Sequence, residues 1–197
     1  MAASGVNSES PLGFLTVVED RKHGLFGGYL LLNRTGRPLE FHCTAPVRPN
    51  RAQEILYGPT LRPYLYGEQI GQTLLGKGKH PPAVVLTDCE PMLALDEFVT
   101  PPVALVGGVK DAGDAPAELR PANASGQKWR IDPAQTPEPK LRFFLVGGQQ
   151  LALRRDADPH DEDSVLQGIG AAATSFDFTE PFERIRAAID EARRGGQ

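Results

Sequence analysis

The chain is poor in the residues that mark several large classes of protein. Of its 197 residues only two are cysteines and four are histidines, so neither a disulfide framework nor a structural zinc site is expected. No run approaches the roughly 20 apolar residues that a membrane-spanning helix needs. Acidic residues outnumber basic ones and the formal net charge is −4, whereas a strongly basic nucleic-acid binder would carry the opposite charge.

The N-terminal segment also lacks the features of a targeting signal. Residues 1–11 have no basic start and no apolar centre, so they do not resemble a signal peptide. They are rich in Ser, Ala, Gly and Asn, and we predict a flexible tail. Because the few cysteines suit a reducing compartment, we expect a cytoplasmic protein without membrane contact. Residues 12–197 are predicted to form a single α/β domain.

Apolar runs bounded by turn residues predict the strands of the first half. The second and third runs flank the turn residues 33–36 and are expected to form a hairpin. The later runs lack polar alternation, which is typical of strands buried on both faces. The predicted strands are 14–18, 27–33, 38–44, 83–87 and 103–106.

Capping residues and apolar spacing predict the helices. Asn50 with Gln53 fits a capping box at the start of a helix, Gly58 interrupts it, and a short helix is expected near residues 91–98. Helices are also expected at 162–172 and 178–193. The last one has an apolar stripe that we expect to dock on the sheet, with an oligomer or partner surface as the alternative. The stripe comprises Phe178, Phe182, Ile185 and Ile189.

Two further features complete the predicted fold. Residues 107–139 are rich in Pro, Ala and Gly and are expected to form a long loop, followed by a hairpin of residues 141–146 and 151–153. The fold class is therefore α/β (or α+β) with a mixed sheet. We expect the N-terminal strands in one sheet with strand 83–87, which should lie parallel to the first strand.

The order of these elements carries a family resemblance. The text reads VVED…GGYLLLN…GRPLEFHCT…NRAQEIL…AVVLTDCEP, and over residues 14–106 it resembles the ribonuclease H-like fold superfamily. Active members place one acid on the first strand, one on the first helix and one after the fourth strand. The resemblance implies that Asp20 (or Glu19), Glu54 and Asp88 are catalytic residues and metal ligands.

Clustered carboxylates of this kind would suit magnesium chemistry. Mg²⁺ prefers oxygen ligands, and two such ions about 4 Å apart stabilise both oxygens of a phosphodiester displacement. The alternative is that Glu19, Asp20 and Glu54 are solvated surface acids and that Asp88 only caps a helix. Arg21 follows Asp20 where active members usually carry a small residue, and Glu54 lies one residue later than the family pattern.

Two function classes follow from the acids. The departures from the family pattern favour a non-catalytic binding or scaffold protein of ribonuclease H-like build. The alternative is a Mg²⁺-dependent phosphodiesterase or nuclease that uses Asp20, Glu54 and Asp88. A protein partner or nucleic acid is possible in either case. Aromatic and basic residues near the first helix could stack bases or bind a protein, or the tyrosines could cap the core; they are Tyr57, Tyr64, Tyr66, Arg48, Arg51 and Arg62.

The two cysteines allow one more hypothesis. Neighbours on a strand point to opposite faces, so His42 cannot easily activate Cys43. A dyad of Cys89 and His42 is conceivable if the third and fourth strands approach each other. Buried, chemically inert thiols are the expected alternative.

Overall fold

The computed structural model of the protein describes residues 10–107, 141–170 and 172–195. The predicted tail at 1–11 lies outside the described residues except for its last two positions. The predicted long loop at 107–139 lies outside them except for its first position. Within the described ranges, no helix combines the length and the apolar character needed to cross a membrane.

A seven-stranded mixed sheet forms the centre of the molecule. Its strands are β1 (Leu12–Asp20), β2 (Gly24–Leu32), β3 (Pro38–Cys43), β4 (Val84–Thr87), β5 (Val103–Val106), β6 (Leu141–Val146) and β7 (Gln149–Arg154). The order across the sheet is β3-β2-β1-β4-β5-β7-β6. This arrangement confirms the predicted α/β class with a mixed sheet.

The strands of the sheet pair in both directions. β1 pairs antiparallel with β2, and β2 antiparallel with β3. β1 pairs parallel with β4, and β4 parallel with β5. β7 returns antiparallel to β5 and carries β6 at the outer edge. The predicted hairpin and residues 83–87 therefore share one sheet, with β4 parallel to β1.

An irregular helical connection joins β3 to β4. It begins at a complete capping box, because Asn50 Oδ1 accepts from the Gln53 N–H and Gln53 Oε1 accepts from the Asn50 N–H, each at 2.9 Å. Its successive parts are α1 (Arg51–Tyr57), a 3₁₀ turn (Gly58–Thr60), α2 (Leu61–Pro63), a π-helix (Tyr64–Gln72) and α3 (Thr73–Lys77). The predicted capping box is confirmed.

The remaining helices lie between strands and at the C-terminal end. They are a 3₁₀ helix (Glu90–Glu97), α4 (Pro159–Ile169), α5 (Ala172–Ser175) and α6 (Glu180–Gly195). The apolar stripe of α6 and the preceding Phe178 is at most 2% exposed and packs on β1 and β2. Docking of the C-terminal helix on its own sheet is thereby confirmed.

Two glycines allow helices to approach β2 closely from both faces. A Cβ atom at Gly28 would lie 2.3 Å from Cγ2 of Ile185 in α6, and one at Gly27 would lie 2.1 Å from Cγ2 of Ile70 in the π-helix. Real side-chain atoms do not approach this closely. The Gly-Gly pair that opens the second predicted strand therefore serves close packing on opposite faces.

Candidate functional site

Asp88 directly follows β4, at the carboxyl end of the strand. The hydroxyl of Thr16 on β1 donates a hydrogen bond of 2.6 Å to Asp88 Oδ1. The guanidinium of Arg186 on α6 binds the other carboxylate oxygen, Oδ2. The Asp88 side chain is 20% exposed, so both of its oxygens are engaged in a largely enclosed position.

The register of β1 against β4 determines which β1 residue faces Asp88. Leu15 pairs with Thr87, so Thr16 lies beside Asp88, and Thr16 is completely buried. Asp20 lies four residues farther along β1, which corresponds to about 13 Å in an extended strand. The side chain that reaches Asp88 from β1 is thus an uncharged hydroxyl.

Asp20 ends β1 and closes the turn into β2. Its Oδ1 accepts hydrogen bonds from the N–H groups of Lys22 at 2.8 Å and His23 at 2.7 Å, and His23 Nδ1 lies 2.9 Å away. Arg193 of α6 binds its Oδ2. These bonds, led by the His23 N–H, hold the pKa of Asp20 well below its usual value of 3.8, so the carboxylate is charged at neutral pH.

Glu19 points to the opposite face of the sheet, because neighbours on a strand alternate. The Tyr66 hydroxyl and the Arg62 guanidinium both bind Glu19 Oε1. Arg62 also lies over the Tyr66 ring, 5.7 Å from its centroid. Burial, reinforced by the bond to Glu19, raises the pKa of Tyr66. The sequence offered Glu19 and Asp20 as alternatives for one position of the predicted site. In the structure they lie on opposite faces of the sheet and bind different partners.

Glu54 lies in α1 and pairs with Arg51 of the same helix at 3.2 Å. Its side chain is 37% exposed, and no residue of α1 is buried. Among the described residues, no group of three or more His, Cys, Asp or Glu side chains could hold a metal ion. The structure describes Asp20, Glu54 and Asp88 and gives each a different partner.

In this arrangement the surroundings of Asp88 leave no carboxylate oxygen free for magnesium. Mg²⁺ needs several oxygen ligands with at least one or two free carboxylates. Here the Asp88 carboxylate accepts a hydrogen bond from the Thr16 hydroxyl at one oxygen and from the Arg186 guanidinium at the other. The guanidinium already supplies the compensating positive charge. Catalysis and metal binding by Asp20, Glu54 and Asp88 stay predictions.

The arginine pair of α6, Arg186 and Arg193, was missed from the sequence. The two residues are seven positions apart, about 10 Å along a helix, which is close to the distance between Thr16 and Asp20 along β1. Arg193 also pairs with Asp190 of the same helix at 3.6 Å. Arg193 follows Ile189 by four residues and so extends the apolar stripe, which was the available signal.

Cys89 and His42, which could have formed a dyad, each contact other side chains instead. Cys89 Sγ lies 3.7 Å from the Thr16 hydroxyl and 3.4 Å from Asp88 Oδ1. Burial raises the pKa of Cys89 to about 12, so its thiol is protonated at neutral pH. His42 Nε2 lies 3.0 Å from Glu40 Oε2. Cys89 thus matches the inert alternative, whereas the expectation of a buried thiol is wrong for Cys43, which is exposed.

The tyrosines near α1 differ in their burial. Tyr66 is 3% exposed, in agreement with a core-capping role. Tyr57 and Tyr64 are half-buried and stack on each other, with ring centroids 4.0 Å apart. Beside them Ile55 is 67% exposed and Leu56 is 80% exposed. Together Ile55, Leu56, Tyr57 and Tyr64 form an apolar region that we call the α1 surface.

No protein-family model matches the chain, and no curated protein matches it. Function is therefore inferred from the geometry of the chain itself. Two places stand out from the rest of the surface. One is the set of arginine-bound acids at the carboxyl ends of β1 and β4, and the other is the α1 surface.

Proposed function

We propose that the protein is a non-catalytic binding or scaffold protein of ribonuclease H-like build. The strand order β3-β2-β1-β4-β5 supports the build. β2 pairs antiparallel with both β1 and β3, and β4 pairs parallel with both β1 and β5. That succession agrees with the resemblance carried by residues 14–106. The β6–β7 hairpin extends the sheet beyond it.

The observation that carries the proposal is the environment of Asp88. A hydroxyl from β1 and a guanidinium from α6 engage its two oxygens. Charge-assisted hydrogen bonds of this type are about twice as strong as neutral ones. An incoming cation would have to displace Arg186 and would find no second carboxylate on the neighbouring position of β1, because that position is Thr16.

The α1 surface supports a binding role for the protein. α1 has no residue buried against the rest of the described chain, yet a capping box and the Tyr57–Tyr64 stack hold it in shape. Exposed aliphatic side chains on a preformed helix, beside half-buried aromatic ones, are typical of protein interfaces. The net charge of −4 disfavours nucleic acid, so the proposed partner is a protein.

A metal titration tests the proposal directly. Calorimetry and thermal unfolding with Mg²⁺, Mn²⁺ or EDTA should give no binding heat and no shift in melting temperature. RNA and DNA should stay intact when incubated with the protein and either metal. A metal-dependent rise in melting temperature that disappears in Asp88→Asn would contradict the proposal.

The alternative proposal is a Mg²⁺-dependent phosphodiesterase that uses Asp20, Glu54 and Asp88. The observation in its favour is that Asp20 and Asp88 end two neighbouring parallel strands and both bind arginines of α6. It requires Arg186 to leave Asp88 when metal binds. Arg186→Gln should then raise Mg²⁺ affinity, whereas the non-catalytic proposal expects no Mg²⁺ binding in wild type or variant.

A further inference from the structure

The turn between β1 and β2 displays basic side chains at the carboxyl end of β1. Arg21, Lys22 and His23 are all exposed. The turn is held in shape from within, because Asp20 Oδ1 accepts hydrogen bonds from the N–H groups of Lys22 and His23. Arg48 lies beside the turn, where its Nε donates to the His23 carbonyl at 2.8 Å. Arg21, Lys22 and Arg48 thus form one basic region, which we call the turn patch.

The acids of β1 and α1 do not neutralise the turn patch, because each of them has a different arginine as its partner. The pairs are Asp20–Arg193, Glu19–Arg62 and Glu54–Arg51. Within the described part of the chain, no ion pair joins an acid to Arg21, Lys22 or Arg48. The patch is therefore a local excess of positive charge on a chain whose net charge is −4. Such an excess attracts a partner of complementary charge.

The turn patch lies close to the apolar α1 surface. Two backbone hydrogen bonds of 2.9 and 2.8 Å tie Val47 to Leu25 of β2, so the position of the chain at Arg48 is fixed. α1 begins three residues later and carries Ile55 at 67% exposure and Leu56 at 80% exposure. Three extended residues and about one turn of helix separate the Cα atoms of Arg48 and Ile55 by no more than about 17 Å. A helix of about 11 residues is long enough to contact both regions.

We propose that the turn patch and the α1 surface together bind an acidic amphipathic segment of a partner protein. The apolar side chains of the segment pack on Ile55 and Leu56, and its carboxylates pair with Arg21, Lys22 and Arg48. Apolar contacts form the centre of such an interface, whereas the charges at its rim set the selectivity and the rate of association. The inference rests on the proposed binding role and names the chemistry of the partner.

Single-stranded nucleic acid is another polyanion that a basic region can attract. It binds largely through bases that stack on aromatic side chains. Here Tyr57 and Tyr64 are half-buried and stack on each other, so each ring covers one face of the other. The exposed side chains of α1 that could contact a partner are the aliphatic ones of Ile55 and Leu56. Aliphatic contacts beside uncompensated cations fit a peptide with carboxylates better than a chain of bases and phosphates.

A pair of labelled peptides tests the charge of the partner. The probe is a fluorescein-labelled peptide of about 16 residues with leucines at helical spacing and glutamates on the opposite face. The matched probe carries glutamine in place of every glutamate. Fluorescence anisotropy with the full chain should show that the glutamate peptide binds at least about tenfold more tightly, because each exposed ion pair contributes up to about fivefold in affinity. Raising the salt from about 0.1 to 1 M should remove the difference, since the screening length falls from about 10 to 3 Å.

Charge-matched variants separate the turn patch from the net charge of the chain. Arg21→Gln/Lys22→Gln/Arg48→Gln should weaken binding of the glutamate peptide by about tenfold and leave binding of the glutamine peptide unchanged. The control Arg37→Gln/Lys77→Gln/Arg155→Gln removes the same charge from exposed side chains elsewhere and should bind like wild type.

A second substitution tests the apolar half of the interface. Leu56→Ser should weaken binding of both peptides, because it removes an aliphatic contact that does not depend on charge. Leu145→Ser is the control, since Leu145 is 71% exposed on the edge strand β6 and lies outside the proposed interface. That variant should bind both peptides like wild type.

Several outcomes would overturn the proposal. They are no binding of the glutamate peptide, equal affinity for the two peptides, and equal losses in the two triple variants. Tighter binding of labelled oligothymidylate or of phosphatidylserine vesicles through the turn patch would assign it to nucleic acid or to a membrane. A wild-type dimer that only the turn-patch variant dissociates would assign it to a second copy. The Mg²⁺ titration is separate, because a metal effect contradicts the binding role, whereas lost peptide selectivity contradicts only the acidic partner.

Discussion

The two faces of the sheet are covered by helices of opposite character. On one face α6 is a single regular helix with an apolar stripe on β1 and β2. On the other face the connection from β3 to β4 changes between α, 3₁₀ and π geometry within residues 51–77. Both layers nevertheless approach β2 closely, at Gly28 and at Gly27. Close packing on this sheet therefore does not require a regular helix, only a strand without side chains at the contact.

The comparison extends to the acids at the end of β1. Asp20 points to the α6 face and binds Arg193, whereas Glu19 points to the irregular face and binds Arg62. Each layer thus supplies a guanidinium to one of two consecutive carboxylates. The acids of this edge contribute to the attachment of the helical layers, which is a role that a solvated surface acid would not have.

The largest expected effect comes from breaking the α6 layer. Phe182→Ala should lower the free energy of unfolding by about 3–5 kcal/mol, because Phe182 is 1% exposed and its ring lies 5.7 Å from that of Phe14. Urea unfolding measures the change. Phe98→Ala is the control, since Phe98 is 42% exposed and should cost far less. Equal costs for the two variants would contradict the core assignment of α6.

The close approach at Gly28 gives the next largest effect. Gly28→Ala should cost about 1–3 kcal/mol by overpacking, since its new Cβ meets Ile185. The cost should shrink in an Ile185→Ala background, as a double-mutant cycle would measure. Gly76→Ala is the control, because nothing lies within 4 Å of its Cβ position in α3, and it should stabilise the protein slightly. A cost at Gly28 that is independent of residue 185 would rule out this contact as the cause.

The direction in which Asp88→Asn changes the stability shows whether Asp88 is paired with an arginine or repelled by other acids. Asp88→Asn should destabilise the protein by about 1 kcal/mol, because it weakens the bonds with Arg186 and Thr16. A carboxylate in an unoccupied magnesium cluster would behave in the opposite way, since its removal relieves repulsion. Denaturant unfolding in EDTA measures the sign. Asp88→Asn and Arg186→Gln should be non-additive if the pair is formed, and a stabilised Asp88→Asn would favour the metal site.

The smallest expected effect is a dependence of stability on pH. It comes from Glu40, on the sheet face that the irregular helical connection covers. Bonds from His42 and from the Lys79 N–H lower the pKa of Glu40 from 4.5 to about 2. A folded-state pKa below the unfolded one gives stability that is complete above about pH 4.5 and is lost as pH falls toward 2. Glu40→Gln should therefore flatten the fall in melting temperature over this window.

Asp20→Asn is the variant to compare with Glu40→Gln, because Asp20 lies on the sheet face that carries α6. The pKa of Asp20 is also held below its usual value of 3.8, chiefly by the His23 N–H. Its contribution should therefore persist to lower pH than that of Glu40 and disappear only in stronger acid. Identical melting profiles for wild type and Glu40→Gln between pH 2 and 5 would show that the Glu40 bonds add no stability.

Much of the fold was predictable from local patterns. Alternation and buried runs located the strands, and the apolar stripe located α6. The capping residues Asn50 and Gln53 located the start of α1. These features depend on neighbours within a few residues along the chain, which is why the sequence alone reveals them.

The candidate site was harder to predict because it depends on long-range register. Thr16, which faces Asp88, and Asp20 are four positions apart on the same strand, and only the pairing of β1 with β4 decides which of them faces Asp88. The position of Glu54 on an unburied helix likewise depends on how the whole connection crosses the sheet. The partners of Asp88 and Asp20 come from α6, nearly 100 and more than 170 residues away.

The glycine pair of β2 also has a mechanical consequence. At Gly27 and Gly28 the barrier between Ile70 and Ile185 is a single peptide backbone, without a compressible layer of side chains on either side. A displacement of the π-helix at this point is therefore transmitted through the strand to α6, because close-packed protein interiors have low compressibility. The helical layers on the two sides of β2 are expected to shift together as one stiff unit.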